Sequence, residues 1–133
     1  LFIIGTMNLA DRSLALVDFA FRRRFAFVDL KPSFGHAWRE WVHEHSGIDM
    51  KTLSQIERGI LAVNEEIASD PNLGVQFRIG HSYVTPSQWM EIRNTKDWFL
   101  RVVETEIKPL LEEYWFDDRE RARVAIRELR KVI

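Results

Sequence analysis

Polar residues that could do chemistry cluster directly after the first apolar run of the chain. The segment GTMNLADRS, residues 5–13, places Asn8, Asp11 and Arg12 where a short buried strand is predicted to end. Amide, carboxylate and guanidinium groups at the carboxyl end of a parallel strand commonly face a ligand crevice. Asp11 and Ser13 could instead cap the next helix, and Asn8 could satisfy a turn. The pattern alone favours capping.

Three consecutive arginines, Arg22, Arg23 and Arg24, follow at the end of the predicted helix. Their guanidinium groups could present a planar, permanently charged donor pair to phosphate oxygens. They could equally complement the dipole at a helix C-terminus and solvate the surface. The sequence does not decide between these two roles. It also does not show which of the three arginines would bind phosphate.

Other chemical candidates have structural explanations. His43, Glu44 and His45 are adjacent, but neighbouring helix positions point in different directions and the i, i+4 histidine spacing is absent, so we predict no metal site. Asp117 and Asp118 are interpreted as helix caps and not as a catalytic pair. Most tryptophans lie on apolar stripes, which favours core packing over base stacking. The five tryptophans of the chain are Trp38, Trp41, Trp89, Trp98 and Trp115.

The elements that must position these groups divide near Pro32. Leu1–Ile4 and the segment FAFVDLKP predict two strands around a short helix, a remnant of an α/β layer. From residue 33 the apolar period becomes helical, which predicts a bundle of about four or five helices. We therefore predict a mainly α fold, with an α/β domain at 1–32 and a helical domain at 33–133.

Start and stop signals place the helices. The first helical stripe ends at Gly47, and a second helix over residues 52–68 is broken by SDPNLG. Residues 74–85 are predicted to be extended or irregular, and Pro86 could open a short helix. Pro109 is expected to interrupt or kink the following helix, before a last one capped by Asp117 or Asp118.

The composition excludes several classes of protein. With 133 residues and 46% hydrophobic content, the chain can build the core of one domain. A net charge of −1 gives no global electrostatic case for binding nucleic acid or membranes. Cysteine is absent, which removes disulfides, thiolate metal sites and a cysteine nucleophile. No apolar run reaches the ~20 residues that span a bilayer, so we expect a soluble cytoplasmic protein without membrane contact.

Three segments resemble a known family. IIGTMNLADRSLALVDFAFRRRF resembles the second half of the nucleotide-hydrolysing core of AAA+ proteins, in particular the McrB-like NTPases. FRIGHSYVTP is similar to the Gly-His-Ser segment of that family's lid, and IKPLLEEYWFDD to its next landmark. The resemblance implies the C-terminal part of a longer protein, the GTP-hydrolysing motor of a McrBC-type system that restricts DNA with modified cytosine.

The resemblance also implies roles for residues of the core. Asn8 matches the sensor-1 residue, which helps to orient the water that attacks the γ-phosphate. Asp11 and Arg12 complete the same signature. Arg23 and Arg24 match the arginine-finger region, where a guanidinium of one subunit stabilises charge on the nucleotide of its neighbour. Arg24 is favoured as the finger, although the sequence itself does not separate the two.

In the lid, Gly80, His81 and Ser82 match a segment that is expected to lie near the nucleotide. From the residues alone, His81 would be interpreted as an ordinary loop histidine, and no Asp evidently completes a hydrolytic triad with Ser82. Arg78 is the nearest positive charge and a candidate phosphate sensor. The usual sensor-2 arginine begins a lid helix, however, whereas this segment is predicted to be irregular.

The chain departs from the family by lacking a Gly-x-x-x-x-Gly-Lys-[Ser/Thr] loop and an apolar strand that ends in Asp-Glu. Both are expected before residue 1, so the isolated chain is predicted to be inactive and without tightly bound nucleotide. For the full-length parent, the resemblance implies GTP, or less favoured ATP, with Mg²⁺. It also implies a ring expected to be a hexamer, a McrC-type nuclease partner, and DNA contacts through regions outside this chain.

A competing hypothesis makes the chain a helical adaptor or nucleic-acid-binding module without a catalytic role. Residues 117–131 hold six basic and four acidic side chains, a balance of +2. A solvated helix face is the favoured interpretation of this segment.

Overall fold

The computed structural model describes residues 2–6, 24–87 and 91–133. The chain divides into two compact units, Leu1–Lys31 and Pro32–Ile133. In the first unit, residues 2–6 and 24–31 are described and contain no strand. The helix predicted between the two apolar runs lies outside the described residues.

The α/β remnant predicted for residues 1–32 is therefore not found in the described part of the first unit, and this corrects the expectation of two strands. Phe2, Ile4 and Leu30 are 98%, 94% and 90% exposed, so their apolar side chains pack against little. A strand exists through hydrogen bonds to neighbouring strands, which a local apolar pattern cannot supply. The mainly α fold class is confirmed by the second unit.

The second unit is helical throughout its regular described segments. Its α-helices are α1 (His36–Ser46), α2 (Met50–Ser69), α3 (Thr95–Val102), α4 (Lys108–Tyr114) and α5 (Arg119–Arg130). Between α2 and α3, the segment predicted to be irregular contains two short 3₁₀ turns, Val75–Phe77 and His81–Val84. Pro86 and Ser87 are not helical, and residues 88–90 of the predicted short helix lie outside the described residues.

Local capping chemistry sets the helix ends. Gly47 follows α1 with a φ of 73°, a left-handed conformation that glycine adopts without a Cβ clash. The carboxylates of Asp49 and Asp118 accept hydrogen bonds from the backbone N–H of Thr52 and Arg121, which caps α2 and α5. The predicted stop at Gly47 and the predicted cap at Asp118 are confirmed, whereas α2 begins two residues earlier than predicted.

One apolar core joins all the described helices of this unit. At its edge, an ion pair between Arg39 of α1 and the buried Glu57 of α2 connects the first two helices. Burying apolar side chains from every helix is what holds such a bundle together. Among the described residues, the side chains with no exposed surface are Val42, Leu53, Ile56, Ile60, Ile67, Val84, Phe99, Val103, Ile107 and Leu111.

Trp41 was predicted to lie on an apolar stripe, yet it is 37% exposed, and Leu61 in the apolar pattern of α2 is 40% exposed. Each is the immediate neighbour of a buried residue, Val42 or Ile60, and successive residues of an α-helix lie about 100° apart around its axis. Both side chains therefore fall on the flank of their apolar stripe. The Trp41 ring stacks on His45 with centroids 4.2 Å apart.

A π-helical turn, Val103–Ile107, joins α3 to α4 directly before Pro109. Proline lacks the N–H of a regular helix, and its ring collides with the carbonyl four residues earlier. The wider π turn changes the helix geometry at this point, so the predicted interruption at Pro109 is confirmed. Ile107 and Leu111 are both fully buried on either side of the proline.

Candidate functional site

The turn formed by Gly80, His81 and Ser82 is anchored to the bundle by Asn64, a buried residue of α2. The Asn64 side-chain nitrogen donates to the carbonyl oxygen of Ile79 at 2.9 Å, and the Ile79 N–H donates to Asn64 Oδ1 at 2.6 Å. Asn64 and Ile79 are 2% and 1% exposed. The amide thus satisfies both backbone groups of the residue before the turn, as a neighbouring strand would.

His81 is held from three further directions. The backbone N–H of Ser33 donates to His81 Nδ1 at 3.1 Å, and the Phe34 ring meets the imidazole edge-on with centroids 6.1 Å apart. The Thr85 hydroxyl donates to the His81 carbonyl oxygen at 2.7 Å and accepts the indole N–H of Trp38 at 2.9 Å. The turn that the sequence singled out is therefore fixed by packing as well as by hydrogen bonds.

Arg78 lies two residues before this turn and faces α2. Its Nη2 lies 3.5 Å from Glu65 Oε1, so the positive charge is shared with a carboxylate. Its Nε is buried and has no hydrogen-bond partner among the described residues. The structure thus places the candidate phosphate sensor in an ion pair with α2, on a segment that does not begin an α-helix.

A shallow groove of about 290 Å³ runs beside the turn. Hydroxyl groups and one carboxylate line it together with Pro86, Val102 and the Trp98 indole, so polar and apolar groups contribute about equally. The lining residues are Ser82, Tyr83, Thr85, Pro86, Ser87, Trp98, Val102 and Glu106.

Tyr114 packs behind the 3₁₀ turns, with its ring edge-on to Phe77 at a centroid distance of 5.3 Å. Burial raises the pKa of Tyr114 to about 12, and Tyr83 and Glu113 add to this shift. The Tyr114 phenol therefore stays protonated and uncharged at neutral pH, and its hydroxyl remains a hydrogen-bond donor.

Asp70 is a structural centre that the sequence reasoning missed. Its Oδ1 accepts the Asn72 N–H at 2.8 Å, and its Oδ2 accepts the Trp115 indole at 3.0 Å and Arg121 Nη1 at 2.6 Å. The Arg121 guanidinium also lies over the Trp115 ring, 4.6 Å from its centroid. The available signal was the Asp before Pro-Asn in SDPNLG, which is typical of an Asx turn.

The residues predicted for the catalytic core lie mostly outside the described part of the chain. Asn8, Asp11, Arg12, Arg22 and Arg23 are among them. Arg24 is described, and it lies exposed in a turn of the first unit. The predicted roles of all six residues remain predictions.

His43 and His45 use their rings within their own part of the bundle. His43 Nδ1 lies 2.8 Å from the Ile48 carbonyl oxygen, and His45 Nδ1 lies 2.7 Å from that of Trp41. Within residues 2–6, 24–87 and 91–133, no three metal-ligating side chains form a cluster. In the same part of the chain, no helix combines the length and apolarity needed to cross a membrane.

Two comparisons with known proteins include this turn and the bundle around it. A family model described as "McrB, alpha-helical lid domain" matches residues 55–123. The chain is also 40% identical over 118 residues to the type IV methyl-directed restriction enzyme EcoKMcrB subunit of Escherichia coli (strain K12). That alignment covers 88% of this chain and 26% of the relative, so the chain spans about a quarter of the relative's length.

The family model covers more than half of the chain and extends from the middle of α2 into α5. It includes Asn64, the Gly80–Ser82 turn and Asp70, which are the groups that give this bundle its fixed loop geometry. The resemblance noticed in the sequence is thereby confirmed: the chain belongs to the McrB family and carries its alpha-helical lid domain.

Proposed function

We propose that this chain is the lid, with part of the adjoining core, of a McrB-type AAA+ NTPase that hydrolyses GTP, or less favourably ATP. Membership of the lid family and the likeness to a restriction-enzyme subunit support the proposal. The observation that carries it is the turn at Gly80–Ser82, which Asn64 fixes from inside the bundle. A turn held this rigidly can present His81 to a ligand at low entropic cost.

In this proposal the chain contributes positioning and charge, while the phosphate loop and the Mg²⁺-binding acids come from preceding regions of the parent. Asn8 orients the attacking water, and Asp11 and Arg12 organise that site or the subunit contact. Arg24, with Arg23 as second candidate, supplies the finger to the neighbouring subunit. The isolated chain is consequently expected to be inactive.

The parent is proposed to assemble as a hexameric ring in the cytoplasm and to work with a McrC-type nuclease subunit on modified DNA. The printed description of the Escherichia coli relative, a methyl-directed restriction enzyme subunit, supports this interpretation. DNA recognition is assigned to regions outside this chain.

Steady-state hydrolysis of GTP and ATP by the full-length parent tests the proposal. Arg24→Ala should reduce turnover strongly, since an arginine finger is worth about 10³-fold to 10⁵-fold in rate. Asn8→Ala should also reduce turnover strongly, because the attacking water is then no longer oriented. Arg119→Ala changes an exposed arginine of α5 and serves as the control that should leave turnover unchanged. Mixed rings should recover activity only at interfaces with a wild-type finger. Normal turnover in both variants would refute the assigned roles.

The adaptor alternative receives little support from the basic residues of α5. Arg121 pairs with Asp70, Arg123 with Glu120, and Arg130 with Glu104 on the π turn. Their charges are therefore balanced locally. DNA binding by the 133-residue chain at low salt, with a steep loss on adding salt, would favour the adaptor.

A further inference from the structure

The hydrogen bond between Ser33 and His81 determines which ring nitrogen of His81 carries the proton. A backbone N–H can only donate, so Nδ1, which lies 3.1 Å from the Ser33 nitrogen, must accept. An accepting Nδ1 carries no proton. The ring is then neutral, and its single N–H is on Nε2.

Two other histidines have the opposite arrangement. The Nδ1 atoms of His43 and His45 face carbonyl oxygens, which only accept, so both nitrogens carry protons. These two bonds are compatible with a protonated ring, whereas protonation of His81 would replace the acceptor that Ser33 needs with a second donor. Ser33 thus selects the state of His81.

The direction of the Nε2–H bond is fixed as well. Phe34 meets the His81 ring edge-on and itself packs edge-on against Trp38, with centroids 5.1 Å apart. The Thr85 hydroxyl holds the His81 carbonyl. Within the described residues, Nε2 has no hydrogen-bond partner, although the ring, Nδ1 and backbone are all engaged.

We propose that Ser33 holds His81 as the Nε2–H tautomer, so that the imidazole is a pre-positioned neutral donor to an oxygen atom of the bound nucleotide. This inference rests on the proposed function for the identity of the ligand. It also assigns the type of role, because a ring with Nδ1 occupied and Nε2 protonated has no free lone pair to act as a general base. His81 is thus assigned as a nucleotide-binding donor, and Ser33 is the residue that positions it.

The tautomer is tested directly on the 133-residue chain by ¹⁵N–¹H correlation of the histidine rings, at a pH where they are neutral. His81 should show an unprotonated Nδ1 and a protonated Nε2, with His43 as the internal reference of opposite type. Ser33→Ala keeps the backbone N–H and should preserve this pattern, whereas Ser33→Pro removes the N–H and should weaken it. A protonated Nδ1 in wild-type His81 would overturn the inference.

The donor role is tested in the full-length parent with His81→Asn and His81→Gln, which separate the two ring nitrogens. Asparagine keeps an acceptor near the Nδ1 position but offers no donor at Nε2, whereas glutamine places an NH₂ donor near Nε2. Equilibrium titration with fluorescent GTP and ATP analogues and Mg²⁺ should show affinity reduced about 10-fold to 100-fold in His81→Asn. His81→Gln should retain more of it.

Equal affinity of His81→Asn and wild type, or an equal loss in both variants, would overturn the donor role. Absence of nucleotide binding by the wild-type parent would instead overturn the proposed function, and with it the nucleotide as the acceptor. The ¹⁵N chemical shifts of the His81 ring do not depend on the nucleotide. Failure of the tautomer inference can therefore be distinguished from failure of the proposed function.

Discussion

At the scale of single residues, Asn64 matters most for the candidate site, because its amide is the buried anchor of the Gly80–Ser82 turn. Asn64→Ala leaves the N–H and the carbonyl of Ile79 without partners in a site that excludes water. Each unsatisfied group costs about 1–3 kcal/mol, so we expect a loss of about 2–6 kcal/mol in the free energy of unfolding. Urea unfolding checks this. Glu66→Ala, at an exposed position of the same helix, is the control, and a loss no larger than in that control would contradict the prediction.

Asp70 is the residue whose charge should make stability depend on pH. The Asn72 backbone N–H first, and then Trp115 and Arg121, lower the pKa of Asp70 below its ordinary value of 3.8 despite the opposing effect of burial. A lowered pKa means that the folded state binds this proton less readily than the unfolded state. The stability that Asp70 contributes is therefore fully present above about pH 4 and is lost as pH falls through the folded-state pKa.

Asp70→Asn removes this titration, so its unfolding free energy should lie below that of the wild type at neutral pH and approach it in acid. Urea unfolding of both proteins between about pH 7 and pH 2 measures the difference. Other carboxylates also lose stabilising interactions in acid, because the pKa values of Asp49, Glu104 and Glu128 are lowered too. Only the difference between the two proteins reports on Asp70, and a difference independent of pH would refute its role.

At the scale of elements, Gly59 sets the distance between α2 and the C-terminal end of the chain. A Cβ at this position would lie 2.6 Å from Val132 Cγ2 and 3.5 Å from Leu129 Cδ2. Alanine is otherwise favoured over glycine inside a helix by about 1 kcal/mol. At position 59, helix propensity therefore favours alanine, whereas the close packing of α2 against the segment after α5 favours glycine.

This opposition predicts a strong coupling between the two positions. Gly59→Ala alone should leave stability unchanged or reduce it by up to about 1 kcal/mol, because Val132 must shift. The same substitution in a Val132→Ala background should stabilise by about 0.5–1 kcal/mol, since the space is then free. A double-mutant cycle by urea unfolding measures the coupling. Equal effects of Gly59→Ala in both backgrounds would show that the contact has no energetic consequence.

At the scale of the whole molecule, the described core belongs to the second unit. Every buried apolar residue of the described chain lies between Trp38 and Leu129. The first unit instead exposes Phe2, Ile4, Leu30 and other apolar side chains. Exposed apolar surface of this kind promotes association with other proteins or with further copies.

We therefore expect residues 32–133 to fold without the first unit. Circular dichroism should show a helical chain with a cooperative urea transition close to that of the 133-residue protein. Size-exclusion chromatography with light scattering should show less self-association for the shorter chain, because the exposed apolar residues are removed. A non-cooperative transition in the shorter chain would mean that the first unit is required for folding.

The sequence by itself determined the helical class of the second unit, most helix ends and the segment that forms the candidate turn. These features depend on local chemistry: a 3.6-residue apolar period, a glycine with positive φ after α1, and a carboxylate cap before α5. The family resemblance was also contained in short contiguous segments. The two predicted strands are not found in the described residues, because strand pairing is not local. The burial of Trp41 was predicted wrongly, because Trp41 lies at the edge of its apolar stripe.

Only the tertiary structure decided which side chains hold the turn and which state His81 adopts. Ser33 bonds to a ring 48 positions away, and Asp70 joins Trp115 and Arg121 across 45 and 51 positions. Asn64 reaches Ile79 across 15 positions, although nothing in α2 marks it as different from other polar residues. Such bonds exist because the packing of distant helices brings donors and acceptors within about 3 Å, and local sequence patterns carry no information about that distance.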